Sequence, residues 1–390
     1  MPEAIYFDNN ATTRPLPEVL DVTLRCSRDE YANPSSVHRF GQSARHKVET
    51  AREQVAGLIG ASPREIVFTS SGTESINLAI HGALRGRAGK RRFVTTAVEH
   101  SAGLRVAEQL AEEGYTVEYV GVDREGRLDL AEWGEKLTED TALASLIHTN
   151  NETGVILDVP GALAIAAERG VPVHVDAVQS AGKIPTSKLV SPVDVTSLPV
   201  HLMSLAAHKF HGPKGVGALF VRRRTRLAPL LVGGSQERGL RAGTENVAGI
   251  VGMGLAAEMA SASMNEVAER VGALRDALEE GILSSVAFAR VIGVGADRIH
   301  NTTNIAFEGI EAEAILILLS EAGVCASSGS ACSSGSLEPS HVLKAMGIDE
   351  RIAHGAIRFS LSRFNTTSEV ERVVAMLPDL LSKLTALNRR

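Results

Sequence analysis

Five short polar clusters hold residue types that could bind and react with a small anionic ligand. The first, residues 70–74 (SSGTE), places a glycine and several hydroxyl side chains at the start of a predicted helix. Free backbone N–H groups and the positive end of the helix dipole favour an anion there, although an ordinary serine or threonine helix cap uses the same residue types. The other four clusters are residues 99–100 (EH), 150–154 (NNETG), 174–179 (HVDAVQ) and 207–215 (AHKFHGPKG).

Asp176 and Lys209 are the charged residues that need most explanation. Asp176 follows an apolar stretch, where a carboxylate is poorly hydrated and needs a cationic partner, unless it caps a helix. Lys209 stands between two histidines ahead of a Gly-Pro turn, and the alternative is a surface lysine in a loop. Together the clusters supply an anion site, an acid for a ring nitrogen, a histidine to stack on a ring, amides for a phenolic oxygen and an amine. That set matches the needs of pyridoxal 5'-phosphate.

The elements that must position these clusters alternate between strands and helices over residues 65–222. Strands are predicted at 65–70, 92–97, 116–122, 142–149, 171–177, 202–206 and 216–221, and helices at 73–84, 101–113, 128–137 and 159–169. Such alternation predicts an α/β fold with a mostly parallel sheet covered by helices on both faces. Ligands in that architecture bind at the carboxyl ends of the strands, where the clusters stand.

After residue 241 the pattern changes to α+β. We expect helices at 246–263, 265–283, 312–322 and 340–346, strands at 304–307 and 356–360, and a C-terminal helix. Residues 326–336 (ASSGSACSSGS) form a small-residue loop with Cys332 near its centre.

Composition excludes several other classes of protein. With 44% hydrophobic and 22% charged residues, the chain of 390 residues is globular rather than disordered. Its net charge of −6 and 4% aromatic content argue against nucleic-acid and membrane-surface binders. The three cysteines, Cys26, Cys325 and Cys332, are too few for a disulfide framework and suit a reducing compartment. Without a signal-like N-terminus or an apolar run of about 18 residues, we expect a cytoplasmic enzyme.

Two other motifs carry little weight. Gly252-x-Gly254-x-x-Ala257 matches a dinucleotide fingerprint, but it lies within a helical stretch with no strand before it. His208 and His211 have no third ligand at a familiar spacing, so no resident metal is expected.

The chain resembles the cysteine desulfurases of the class V aminotransferase type nearly end to end. The motifs that carry this resemblance are residues 8–13 (DNNATT), 33–38 (NPSSVH), 68–75 (FTSSGTES), 150–154 (NNETG), 174–179 (HVDAVQ), 208–209 (HK), 241–246 (RAGTEN) and 327–332 (SSGSAC). Residues 236–246 and 327–341 are most similar to the NifS-like branch, which serves nitrogenase iron–sulfur clusters.

This resemblance implies a fold-type-I architecture. A large pyridoxal-phosphate domain, residues 16–254, would contain a mostly parallel seven-stranded sheet. Residues 1–15 and 255–390 would form a smaller α+β domain that carries the loop 326–336.

The resemblance also implies roles for particular residues. Lys209 would link covalently to the cofactor, His100 would stack on its ring and carry protons, and Cys332 would be the nucleophile that accepts sulfur. The implied cofactor-binding set is Gly72, Thr73, His100, Asn151, Asp176, Gln179, His208, Lys209 and the partner subunit's Thr244, in a homodimer. Arg358, with Asn151, would bind the substrate carboxylate, for which a guanidinium fork is suited.

The implied reaction takes sulfur from L-cysteine, leaves a persulfide on Cys332 and releases L-alanine. An iron–sulfur scaffold protein would then accept the sulfur, and Cys332 could transiently share a cluster-ligand role with it. Small residues around Cys332 give a reach of roughly 13 Å to either side, although a passive linker has a similar composition. The alternatives are another pyridoxal-phosphate enzyme of this fold, such as an aminotransferase or selenocysteine lyase, and an inactive scaffold protein.

The sequence departs from the family pattern near the phosphate-binding histidine and near the cysteine loop. Ala206 stands where a hydroxyl residue is frequent, and Ala207 where glycine is usual. Cys325 stands where we expect a small apolar residue, and we interpret it as a buried side chain at a strand end.

Overall fold

A computed structural model describes residues 4–87, 89–185, 193–328 and 339–387. The strands are β1 Ile5–Tyr6, β2 Ile66–Thr69, β3 Arg92–Thr96, β4 Thr116–Val120, β5 Thr141–Ile147, β6 Val173–Asp176, β7 Leu202–Ala206, β8 Gly217–Val221, β9 Ala289–Val291, β10 Thr302–Phe307, β11 Val324–Cys325 and β12 Ala356–Ser360. The helices are α1 Pro17–Asp29, α2 Arg39–Leu58, α3 Gly72–Arg85, α4 Ser101–Glu112, α5 Leu130–Lys136, α6 Val159–Glu168, α7 Val247–Ser285, α8 Ala312–Glu321, α9 His341–Ala345, α10 Glu350–Ala353 and α11 Thr367–Leu387.

The central sheet has seven strands in the order β2-β8-β7-β6-β5-β3-β4. β8 runs antiparallel to both of its neighbours, and the other strands run parallel to one another. Strands β5, β6 and β7 are buried along their whole length because helices cover both faces, which explains their continuous apolar sequences. The predicted α/β fold with a mostly parallel seven-stranded sheet is confirmed.

Two smaller sheets are formed by strands of the C-terminal part of the chain together with the N-terminal strand β1. One is antiparallel, in the order β12-β10-β9, and the other joins β1 to β11 in parallel. They share a hydrophobic core with α7, α8 and α11, which includes Phe7, Leu278, Phe307, Phe359 and Leu377. The N-terminal strand therefore folds with the C-terminal third of the chain. The division into residues 16–254 against 1–15 and 255–390 stays a prediction.

Helix α7 joins the two cores. Ile250 and Met253 are buried in the core of the large sheet, whereas Val271 and Leu278 belong to the second core. The prediction of two helices at 246–263 and 265–283 is wrong, because no proline or glycine interrupts residues 255–271 and the helix continues through them. By length and composition α7 could cross a membrane, but it packs against α1, α2 and α11, as the core helix of a globular protein does.

Candidate cofactor and substrate site

The strand order gathers the predicted site residues at one edge of the central sheet. Gly72 and Thr73 begin α3 after β2, His100 caps α4 after β3, and Asn151 follows β5. Asp176 ends β6, and His208 and Lys209 follow β7. The strand order changes direction between β3 and β5, which is where ligands bind in open α/β sheets.

Gly72 forms the floor of a tight cradle at the start of α3. A Cβ atom on Gly72 would lie 2.8 Å from Val178 Cγ2 and 3.3 Å from Ala206 Cβ. The Ser71 side chain caps the helix by accepting a hydrogen bond from Glu74 N at 3.1 Å. Thr73 is exposed in the first turn, next to this cap. The arrangement leaves a helix N-terminus open to an anion, with a glycine that lets the anion approach.

His208 lies beside the same cradle, after Ala206. Its Nδ1 atom is 3.2 Å from Thr12 Oγ1. Burial, together with the charges of Lys209, Lys214 and Lys183, lowers the pKa of His208 to about 4. The ring is therefore neutral near neutral pH and can accept or donate one hydrogen bond.

Asp176 is a buried carboxyl group, 4% exposed. Its Oδ1 atom accepts a hydrogen bond from Val178 N at 3.0 Å. Burial raises its pKa to about 6, although the Val178 hydrogen bond and the charge of Lys209 act in the opposite direction. A carboxylate in this position gains from a cationic ring nitrogen, which would restore a low pKa.

Gln179 and Lys209 meet at the backbone of the N-terminal segment. Gln179 Nε2 donates to Asn10 O at 2.9 Å, and Lys209 Nζ donates to the same oxygen and to Ala11 O. Asn10 is held in turn by its Nδ2 atom, which donates to Thr302 Oγ1 at 2.9 Å and to Asn151 O at 3.1 Å. Residues 10 and 11 therefore fix the two predicted cofactor ligands relative to each other.

His100 stands on the other side of the site as the N-cap of α4. Its Nδ1 atom accepts a hydrogen bond from Ala102 N at 3.1 Å, which assigns the proton of the neutral ring to Nε2. Burial and the positive charges of Lys209, His341 and Arg358 lower the pKa of His100 to about 4. The ring is neutral at neutral pH and presents an Nε2–H donor.

Arg358, on β12, is brought to the same edge from the second core, and it is 3% exposed. Its Nη1 atom donates to Asn151 O at 3.0 Å and its Nη2 atom to Asp8 Oδ1 at 2.7 Å. The buried Nε atom has no hydrogen-bond partner among the described residues. An unsatisfied buried guanidinium N–H indicates a ligand with acceptor oxygens, such as a carboxylate.

Residues 329–336 of the predicted loop, which include Cys332, and the following residues 337 and 338 lie outside the described residues. The described residues on either side contact the site. Ser327 and Arg358 exchange backbone hydrogen bonds, with N–O distances of 3.2 and 2.7 Å. Ser340 Oγ donates to Glu152 Oε2 at 2.5 Å, and His341 Nε2 lies 2.9 Å from Glu99 O. Both ends of the loop are therefore attached near Asn151, His100 and Arg358.

Thr244 is not brought to the other predicted residues within one subunit. It is exposed, and it borders a surface depression with Cys26, Tyr31 and Asn33. The salt bridge between Arg241 and Glu74, 2.8 Å, attaches its segment to the first turn of α3. Cys325, at the end of β11, is half-buried rather than fully buried. In the described part of the chain, no group of three histidine, cysteine or acidic side chains could hold a metal ion.

Three residues that contact the candidate site, Glu99, Asn10 and Lys183, have no role predicted from the sequence. Glu99 Oε1 accepts hydrogen bonds from Thr96 Oγ1 at 2.6 Å and Ile147 N at 2.7 Å, and it thereby joins β3 to β5 where the strand order changes direction. Burial raises its pKa to about 8. Asn10 and Lys183 contact Gln179. Glu99 belongs to the polar cluster 99–100, which the sequence marks as a candidate. The contact between Asn10 and Gln179 joins residues 169 positions apart, so no short sequence motif indicates it.

The match to known proteins covers almost the whole chain. The model of the family "Aminotransferase class-V" matches residues 5–373. The chain belongs to this family. A cysteine desulfurase of Trichormus azollae is 49% identical over 384 residues, covering 98% of this chain and 94% of that protein. The cysteine desulfurase NifS of Azotobacter vinelandii is 48% identical over 381 residues, covering 97% and 93%.

Solved structures of the family have the same fold. A NifS-like protein is 40% identical, with a TM-score of 0.90, and the match covers 98% of this chain and all 100% of that one. The protein SspA in complex with cysteine is 33% identical, with a TM-score of 0.81, covering 93% of this chain and 100% of that chain. Members of the class V aminotransferase family are pyridoxal-phosphate enzymes.

Proposed function

We propose that the protein is a cysteine desulfurase that uses pyridoxal phosphate, removes sulfur from L-cysteine, releases L-alanine and holds the sulfur as a persulfide on Cys332. The observation that carries the proposal is the buried Arg358 with its unpartnered Nε–H, placed at the same edge as Lys209 and Asp176. The near-full-length similarity to proteins named cysteine desulfurase supports the same activity.

The described residues fit pyridoxal phosphate. The glycine cradle at Gly72 suits a phosphate, and the buried carboxyl of Asp176 suits a cationic ring nitrogen. The proposed binding set is Lys209 as the covalent link, His100 on the ring face, Asn151 and Gln179 at the phenolic oxygen, and Gly72, Thr73, His208 and the partner subunit's Thr244 at the phosphate. When bound, the cofactor supplies a sink for the electrons released at the substrate Cα.

Arg358 begins the reaction by binding the substrate carboxylate. Its unpartnered Nε–H and one Nη–H can bind a carboxylate in a bidentate manner. The hydrogen bond to Asp8 keeps the guanidinium oriented before the substrate binds. Lys209, whose Nζ atom donates to Asn10 O and Ala11 O, would be the base that removes the proton from the substrate Cα. The hydrogen bond from Arg358 Nη1 to Asn151 O fixes the position of the arginine. The substrate carboxylate that Arg358 binds would therefore keep a constant position relative to the base Lys209.

Sulfur transfer follows at Cys332. The thiolate attacks the substrate sulfur, so that the carbon–sulfur bond of L-cysteine breaks and a sulfur–sulfur bond forms on Cys332; L-alanine keeps the carbon skeleton. A thiol with a pKa near 8.5 is mostly protonated at neutral pH, so a base must assist it. The substrate amine and His100 are the candidates, and His100 would accept the proton at Nε2 in the tautomer that carries its own hydrogen on Nδ1, in which the hydrogen bond from Ala102 N is lost. The charges of Lys209 and Arg358 that lower the pKa of His100 are neutralised once substrate is bound, which makes the ring a better base.

The working unit is proposed to be a homodimer in the cytoplasm. Tyr31, which lines the depression that Thr244 borders, is 80% exposed, and Leu24 on α1 and Phe40 on α2 are each 66% exposed. A second copy of the chain would cover them and bring Thr244 to the partner's phosphate site. The acceptor of the sulfur is proposed to be an iron–sulfur scaffold protein, and the NifS-like motifs favour nitrogenase cluster assembly.

The test is a paired measurement of sulfide and alanine from L-cysteine with the loaded enzyme and an added thiol reductant, which reduces the persulfide and releases its outer sulfur as sulfide. Cys332→Ala is expected to lose sulfide release while it retains the cofactor absorbance, and mass spectrometry should find the persulfide on the Cys332 peptide of the wild type. Cys26→Ala, which removes a buried thiol of α1 that has no proposed catalytic role, is the control for the loss of a cysteine. Full activity of Cys332→Ala would overturn the proposal in favour of another pyridoxal-phosphate activity.

A further inference from the structure

Lys183 contacts a predicted cofactor ligand from behind. Its Nζ atom donates to Gln179 Oε1 at 3.0 Å, and Gln179 is 5% exposed. Because Oε1 is occupied in this way and Nε2 donates to Asn10 O at 2.9 Å, the amide is fixed in one of its two orientations. The second N–H of Nε2 is then the group that Gln179 can offer to a ligand.

Lys183 and Lys209 are also linked to each other. Asn10 O accepts from both Gln179 Nε2 and Lys209 Nζ, so two hydrogen-bonded groups connect the two amines. Both lysines line one partly open cavity of about 30 Å³, which has room for one or two water molecules. The structure therefore places a second amine at the back of the candidate site.

The surroundings of Lys183 are strongly basic. The other charged and titratable side chains that line the cavity are Lys209, His211, His300 and Arg363. Arg358 and His208 lie close enough to interact electrostatically with Lys183. No carboxylate is among the described residues that line this cavity. Burial, followed by the charges of Lys209 and Arg358, lowers the pKa of Lys183 to about 7. A bound anionic phosphate would favour its protonated form again.

We propose that Lys183 is a positioning residue of the cofactor site, which orients the Gln179 amide and, while protonated, opposes a proton on the nitrogen that joins Lys209 to the cofactor. The inference rests on the proposed function, because it needs pyridoxal phosphate bound to Lys209. Lys183 touches neither the reacting atoms nor, through the described contacts, the substrate-binding Arg358. Its effect is transmitted by one hydrogen bond and by charge.

The test is a pH titration of the absorbance of the lysine-linked cofactor, without substrate. Lys183→Met removes both the charge and the donor. We expect the titration midpoint to rise by about one pH unit, since a nearby positive charge that disfavoured protonation is gone. Loss of the hydrogen bond to Gln179 should weaken pyridoxal phosphate binding to the apoprotein by about fivefold.

Two further variants separate the charge from the hydrogen bond. Lys183→Arg keeps the positive charge and the hydrogen-bond donor, so the titration midpoint of its lysine-linked cofactor should equal that of the wild type. Lys183→Gln keeps a donor but no charge, so its midpoint should rise while its cofactor affinity stays near that of the wild type; it also serves if Lys183→Met fails to fold. Lys136→Met, on α5 in a salt bridge with Glu132, is the control for loss of a lysine elsewhere.

An unchanged midpoint in folded Lys183→Met and Lys183→Gln would overturn the inference and leave the proposed function intact. A wild-type protein that shows no lysine-linked cofactor absorbance after reconstitution would instead overturn the proposed function. The two failures are therefore distinguishable in one experiment.

Discussion

Asp8 and Arg358 form a partly buried ion pair, with 2.7 Å between Oδ1 and Nη2, across 350 residues of chain. Asp8 belongs to the N-terminal segment and Arg358 to β12, and the bridge between Asp8 and Ser360 holds the two segments side by side. The carboxylate of Asp8 accepts a hydrogen bond from Nη2 of the guanidinium group, whereas Nε has no hydrogen-bond partner among the described residues. The arginine is thus held in a defined orientation with one buried N–H donor, Nε, left without a partner in the described part of the chain.

Replacing Arg358 with lysine tests this role directly. Lysine keeps the charge but loses the planar fork, so the KM for L-cysteine should rise by about 10- to 100-fold, in line with the loss of one or two charge-assisted hydrogen bonds. Steady-state kinetics with L-cysteine measures the effect. Cofactor affinity should stay near that of the wild type, because Arg358 is not part of the proposed cofactor set. A wild-type KM in Arg358→Lys would contradict the assignment.

A methyl group at Gly72 should obstruct the phosphate cradle. The new Cβ atom would lie 2.8 Å from Val178 Cγ2. We expect Gly72→Ala to weaken pyridoxal phosphate binding at least about tenfold, since either the helix start or Val178 must move away from its present position. Equilibrium titration of the apoprotein with the cofactor measures this. Gly57→Ala, also in a helix and with open space around its Cβ, should bind normally and gain about 0.5–1 kcal/mol of stability.

Much of this site was predictable because local sequence signals mark strand ends. The strands at 202–206 and 356–360 were predicted with the bounds that the structure has. Helices α1 and α2 were not predicted, since α1 begins at a leucine cap without a side-chain hydrogen bond and α2 is capped by His38, which is an unusual cap. Contacts such as Lys183 with Gln179 and Asp8 with Arg358 depend on rotamers and tertiary packing, for which spacing in the sequence gives no signal.

The buried acid Asp176 should make the apoprotein less stable at neutral pH. Its pKa is about 6 in the folded apoprotein and about 3.9 in an unfolded chain. The folded state therefore binds more protons in this range, so the contribution of Asp176 to stability is present below about pH 4 and is lost as the pH rises through about 6.

Asp176→Asn removes this pH-dependent loss. At neutral pH we expect the variant apoprotein to be more stable than the wild type by a free energy of unfolding on the order of 3 kcal/mol, and therefore to unfold at a higher temperature. Near pH 4 the two proteins should have similar stability. Cofactor affinity should fall, because an amide cannot pair with a cationic ring nitrogen. Thermal unfolding at the two pH values and cofactor titration measure both effects, with the exposed Asp140→Asn as control. If the wild type and Asp176→Asn have equal stability at both pH values, burial of the Asp176 carboxylate does not destabilise the folded apoprotein.

Mixed dimers test whether the partner subunit's Thr244 completes each site. Lys209→Ala homodimers should be inactive. Thr244→Val homodimers should lose one charge-assisted hydrogen bond to the phosphate, which corresponds to roughly 10- to 100-fold weaker cofactor binding. In a dimer of one Lys209→Ala chain and one Thr244→Val chain, one site would combine an intact Lys209 with an intact Thr244 donated by the other chain. At limiting cofactor, activity of the mixture should therefore exceed that of either parent. If Thr244 serves its own subunit, every site in the mixed dimer carries one defect, and mixing the chains restores no activity.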